Sequence, residues 1–142
     1  MKRHNALTPL SREHHSALIL AQLLKKGAPV YTGLPSDPEG KAAYALNMYT
    51  TILQKHFLKE EEILSKVKKY HAEIEIIGDE IIAEHIELKI GFLSLAKTDE
   101  LVNALNNLGV ALEKHIRKEE RILFPQIQEH CPEEILNEIM LL

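Results

Sequence analysis

The sequence predicts an all-α protein: an antiparallel up-down-up-down four-helix bundle with a short C-terminal helix. Three observations carry this. Apolar residues recur at a spacing near 3.6 through four long segments, sustained two-residue alternation occurs nowhere, and most of the breaks between segments are short. The length suits one domain, residues 1–142, large enough to bury about two thirds of the surface its unfolded chain exposes.

The first helix is expected from about Ser11 to Lys26. Leu10, His14, Ala17, Leu18, Ala21 and Leu24 line one face, and Gly27 with Pro29 ends it. Residues 27–40 hold three prolines and three glycines, so they read as a loop. The second helix runs from about Pro38 to Lys69, with Ala42, Ala45, Tyr49, Ile52, Leu53, His56 and Glu60 facing inward. A change of hydrophobic phase marks a turn near Tyr70 to Ala72. The third helix, about Glu73 to Ala96, has an inward face of Ile74, Ile77, Ile81, His85, Leu88, Phe92 and Leu95. Thr98 supplies an N-cap for the fourth helix, whose inward face includes Leu108, Leu112, Ile116, Ile122, Leu123 and Ile127 and which continues to about His130. Pro125 predicts a kink or break in the turn before it. After Cys131 and Pro132, a short helix carries Ile135, Leu136, Ile139, Met140 and Leu142, which cap the core or pair the chain as a homodimer.

Composition narrows the functional classes. Hydrophobic residues at 45% and charged residues at 27% are an ordinary globular balance. A formal charge of −4, with basic and acidic residues interleaved, argues against nucleic acid as a partner. No run reaches the length of a signal peptide or a membrane span, so the expectation is a soluble cytoplasmic protein with no membrane partner. The single Cys131 excludes a disulfide within the chain and any Cys-x-x-Cys site.

The informative feature is a repeated pair, His56-x-x-x-Glu60 and His115-x-x-x-Glu119, set into apolar stripes where aliphatic residues belong. Residues four apart project from one helix face, so each pair aims an imidazole and a carboxylate at the same region of the core. A buried unpaired carboxylate costs several kcal/mol, and a multivalent cation is the natural compensation. His56 stands about 13 residues before the turn between the second and third helices and His85 about 13 after it, both about 20 Å away at about 1.5 Å per residue. His14 matches His85 in depth by the same reckoning from the other end.

Six groups therefore converge in one layer: His14, His56, Glu60, His85, His115 and Glu119. Four imidazoles and two carboxylates suit a pair of transition-metal ions, each taking two imidazoles, with both carboxylates bridging. A bridging oxo or hydroxo group and an open position for O2, NO or peroxide complete the expectation. The absence of thiolate favours iron or manganese over structural zinc. Taken singly, His14 or His85 reads as a hydrogen-bonded core histidine; the set of four does not.

His15 points about 100° from its neighbour and reads as a rim or solvent-facing residue, while His4, His71 and His130 fall outside the layer and read as surface. Glu61, Glu62 and Glu120 read as a solvated face. Glu13 and Glu84 read as exposed charges, with a hydrogen bond to an imidazole as the alternative. Tyr49 fits core packing or the wall of a ligand pocket. Glu-x-x-His, His-Glu-x-x-His and glycine-rich phosphate loops are absent.

With these motifs the chain resembles the haemerythrin-like, or HHE cation-binding, family. The likeness runs from Leu10-Ser11-Arg12-Glu13-His14 through residues 56–61 and 84–88 to His115-Ile116-Arg117-Lys118-Glu119-Glu120-Arg121-Ile122-Leu123-Phe124-Pro125. It implies a non-haem diiron centre (Fe2+/Fe3+) in a four-helix bundle, bridged by Glu60 and Glu119. Two departures stand out. Oxygen-carrying members place two histidines four apart on the third helix, whereas Ile81 and Lys89 flank His85 here, and their fourth helix uses a longer spacing to Asp than the four residues to Glu119. One imidazole fewer implies more labile coordination. The leading expectation is a sensor, store or carrier that binds O2 or a related small oxidant. The alternative is a diiron redox enzyme that reduces NO or peroxide or donates iron for repair, and a zinc-stabilised structural bundle is a third reading.

Overall fold

The computed structural model describes residues 2–142, and every regular element among them is helical. The elements are α1 (Thr8–Leu24), α2 (Pro38–Met48), α3 (Gln54–Val67), α4 (Ala72–Ser94), α5 (Leu101–Lys118), α6 (Phe124–His130) and α7 (Glu133–Met140). Two π-helical turns, Tyr49–Leu53 and Glu119–Leu123, join α2 to α3 and α5 to α6, so residues 38–67 and 101–130 are two continuous rods. The architecture is a helical bundle with no strand among the described residues, and no helix in it is long and apolar enough to cross a membrane.

Local chemistry explains the ends. Asp37 caps α2 by accepting from Gly40 N at 2.9 Å, and Pro38 occupies the first turn, where its missing N–H costs nothing. At α4 the cap is the His71 imidazole, whose Nδ1 accepts from Glu73 N at 3.0 Å, a device the sequence does not advertise. Thr98 is not the N-cap of α5 as expected: that position is Glu100, which makes no side-chain cap bond, and Thr98 Oγ1 accepts from Glu100 N at 3.1 Å one step earlier. α1 begins at Thr8, earlier than expected, because Pro9 is tolerated in its first turn.

The π turns correct two inward assignments. Ile52 and Ile122 are 37% and 43% exposed, while Leu53 and Leu123 are each 1% exposed. Four residues of α-helix overshoot a full turn by about 40°, so repeated steps of four would drift off the core face. Each π turn absorbs the extra residue, which keeps Ala45, Tyr49 and Leu53, and likewise Glu119, Leu123 and Ile127, on one face. Pro125 lies in the first turn of α6 directly after the second π turn, so the expected break is this change of helix type.

Two apolar clusters form the core. One contains Ala17, Leu24, Leu53, Phe57, Leu88, Phe92, Leu112 and Ile116. The other contains Leu10, Ile63, Val67, Ile81, Leu123 and Ile127, and α7 closes it with Leu136 and Ile139. α1 packs most extensively on α5. Gly109 permits that approach: a Cβ there would stand 2.6 Å from the Ala21 carbonyl oxygen. The space between the clusters is filled by polar side chains.

Candidate metal centre

In all four long helical segments the chain passes from one cluster to the other through the same layer. His14 lies between Leu10 and Ala17, His85 between Ile81 and Leu88, the His56–Glu60 pair between Leu53 and Ile63, and the His115–Glu119 pair between Leu112 and Leu123. These six are the buried polar side chains of the described core, none more than 4% exposed. The structure thus brings together all six residues singled out from the sequence.

Their donor atoms form two sets of four. His14, His56, Glu60 and Glu119 offer atoms within 4.8 Å of one another, and so do Glu60, His85, His115 and Glu119. Both sets contain both carboxylates. The two oxygens of Glu60 face opposite ways: Oε1 lies 3.0 Å from His85 Nε2, whereas Oε2 lies 3.2 Å from His14 Nε2 and 3.0 Å from His56 Nε2. Glu119 Oε1 lies 2.8 Å from His115 Nε2 and 3.5 Å from His14 Nε2.

Proximity here is not the same as hydrogen bonding. His56 Nε2, His115 Nε2 and both oxygens of Glu119 are buried without a hydrogen-bond partner, although the His115–Glu119 contact is short. Their lone pairs converge on shared space and miss one another. Buried polar atoms are almost always satisfied, and a cation between them would satisfy all of these together.

A ring of outer carboxylates surrounds the layer, and this the sequence reading did not assign. Glu13 Oε1 lies 3.0 Å from His56 Nδ1, Glu61 Oε2 2.8 Å from His85 Nδ1, Glu84 Oε1 2.7 Å from His115 Nδ1, and Glu120 Oε2 2.6 Å from His14 Nδ1. Each carboxylate adjoins a donor in its own helical segment but bonds the histidine of the next, so the ring closes through α1, α3, α4 and the turn after α5. Glu61 and Glu120 are therefore not merely a solvated face, and for Glu13 and Glu84 the hydrogen-bonded alternative is the one the structure shows. An ionised carboxylate only accepts, so each Nδ1 donates outward, and each Nε2 is the atom left to ligate a metal once its own proton is displaced. The available signal was adjacency: Glu13, Glu61, Glu84 and Glu120 each stand beside a donor in sequence.

The charges reinforce one another. For His14, burial alone would depress the pKa, but the Glu119, Glu120 and Glu60 carboxylates outweigh it and push it up to about 12. For His115, burial is likewise overcome by Glu119, Glu84 and Glu60, and the ring rises to about 9. Burial would raise Glu60, but the His56 and His14 imidazoles hold it well below the usual carboxylate range. A metal must take the Nε2 lone pairs that protons otherwise occupy. Metal uptake by the apoprotein near neutral pH is therefore expected to release protons from His14 and His115, and its apparent affinity to fall with falling pH, through His14 below about 12 and more steeply once His115 also competes below about 9. Calorimetric titration in buffers of different ionisation enthalpy measures both.

The remaining histidines lie elsewhere. His15 is exposed, and His4, His71 and His130 are half-buried rather than free on the surface. His4 pairs with Glu133 at 2.8 Å, and His71 stacks on His130 with ring centroids 3.7 Å apart. Tyr49 packs in the core, buried against Phe92 at 4.9 Å, and it also borders a groove that His85 lines.

Fold and site together define a helical protein whose buried His/Glu cluster can hold a metal ion. No family model, no curated protein and no solved structure matches the chain.

Proposed function

We propose that this chain is a haemerythrin-like protein that holds two iron ions and binds O2, NO or a related small oxidant as a sensor, store or carrier. The observation that carries the reading is the sharing of both carboxylates by two His2Glu2 sets, with the oxygens of Glu60 directed to opposite sets. His14 and His56 would hold one ion, His85 and His115 the other, with Glu60 and Glu119 between them. Mixed imidazole and carboxylate ligation without thiolate suits iron. The ions would supply redox chemistry and open coordination; the chain fixes the imidazole tautomers and excludes water.

Exclusion of water rests on aromatic rings. Phe57 stacks on His85 at 4.3 Å and Phe124 on His14 at 5.5 Å. A groove of about 210 Å³, with Tyr49, Phe57, Leu58 and Ile86 on its apolar side and Gln54, Glu61 and Lys89 on its polar side, gives a small molecule an approach to the His85 side. The order in which the four segments meet the two clusters alternates along the chain, which supports the up-down-up-down antiparallel bundle.

Elemental analysis combined with anaerobic titration of the reduced protein by NO and O2 tests the proposal. Two irons per chain and a saturable spectral change are expected. One zinc per chain, or iron that oxidises without any adduct or reversible change of state, overturns it. Rapid multiple turnover with an external reductant would favour the enzyme reading.

A further inference from the structure

We propose that Arg3 is a positioning residue for the metal centre, acting through Glu120 on the imidazole of His14. The inference rests on the reading that the His/Glu layer holds metal. Arg3 comes from the segment before α1, yet its contacts lie more than a hundred residues away. Its Nη2 donates to the Glu120 carbonyl oxygen at 2.9 Å and to Glu120 Oε1 at 3.1 Å, and its Nη1 donates to Gln128 Oε1 at 3.1 Å. The neighbouring backbone is tied to the same site, with His4 N donating to Gln128 Oε1 at 3.1 Å and Gln128 Nε2 donating to the Lys2 carbonyl at 2.9 Å.

The result is a fully engaged carboxylate. Glu120 Oε1 takes the guanidinium, while Oε2 takes Ser11 Oγ at 2.8 Å and His14 Nδ1 at 2.6 Å. A second contact converges on the same imidazole. The Arg3 guanidinium carbon lies 5.3 Å from the centroid of Phe124, and Phe124 lies nearly parallel to His14, 12° between planes. Arg3 therefore reaches His14 by a polar route and by a stacked one. Only a planar fork of donors meets the backbone oxygen, a carboxylate and an amide while lying against an aromatic ring, so lysine cannot reproduce the arrangement.

The other outer carboxylates show what Arg3 adds. Glu84 has a cation of its own, Lys118 Nζ at 2.5 Å. Glu13, 42% exposed, is bonded to His56, and Glu61, 36% exposed, to His85, and neither has a cation within ion-pair distance among the described residues. The clamp on Glu120 holds the Nδ1 proton of His14 in place and keeps its Nε2 turned to the layer.

Cobalt(II) loading provides the test, because a paramagnetic ion shifts the proton signals of the imidazoles that ligate it. Four shifted, exchangeable signals are expected, one from each Nδ1–H, and Glu120→Gln identifies the one from His14. In Arg3→Ala that signal should broaden through faster exchange with water while the other three hold, and cobalt release to a chelator should gain a phase roughly tenfold faster. Should Arg3→Ala not fold, Arg3→Gln must show the same selective change. An unchanged His14 signal, or equal broadening of all four, overturns the proposal, the latter by showing general loosening. A native protein with no shifted histidine signals ends the metal reading itself, and the role of Arg3 with it.

Discussion

Glu119→Gln should leave the chain with at most one tightly held metal ion. The side chain is fully buried, both its oxygens lack a hydrogen-bond partner, and it belongs to both donor sets. Glutamine keeps the volume and removes the negative charge, so each set is left with two imidazoles and a share of Glu60 alone. The loss should exceed the roughly 10–100-fold that follows removal of an outer partner of a ligand. His14→Ala, by contrast, strips one set and leaves the other intact. Metal content after exhaustive dialysis, measured for both variants beside the native chain, distinguishes the cases. A smaller loss in Glu119→Gln than in His14→Ala, or none, would show that the carboxylate is not shared.

The second large effect concerns stability. A layer of six buried ionisable groups between two apolar clusters is held by ions or by protons, and it gains nothing from hydrophobic burial. Chelation should lower the melting temperature of the native chain, since an ion at a thousandfold excess over its Kd contributes about 4 kcal/mol. Replacing all six donors together by leucine and methionine should give a chain indifferent to chelators and about 1–4 kcal/mol more stable than the native apoprotein, roughly 4 °C for each kcal/mol. His56→Leu alone should do the opposite, because it keeps the buried Glu60 and Glu119 carboxylates and takes one compensating imidazole from Glu60. Thermal melts with and without chelator decide the matter. A native melt that chelator does not move would contradict the metal reading.

The donor layer was legible because imidazoles and carboxylates stand out against an apolar stripe, and because a spacing of four fixes two of them on one helix face. Depth along the helices could be counted from the turns, which placed His14 and His85 beside the two pairs. The outer ring was not legible in the same way. Glu61 and Glu120 occupy polar positions that look no different from those of Glu62 and Glu87, and what selects them is the neighbouring helix that happens to pass within reach. The π turns escaped for a related reason: a step of four from Ala45 to Tyr49 to Leu53 is compatible with ordinary helix, and only the exposure of Ile52 reveals the added residue. Arg3 lay outside every periodic pattern, and its partner in sequence is 117 residues distant.

The outer ring has a handedness. Because Glu13 reaches His56, Glu61 reaches His85, Glu84 reaches His115 and Glu120 returns to His14, the circuit runs in a single sense. A bundle wound the other way, with the same rods and the same connecting loops, would turn each of these carboxylates toward the wrong neighbour. The ring therefore selects between two mirror-related orders of helices that oily packing alone would leave nearly degenerate.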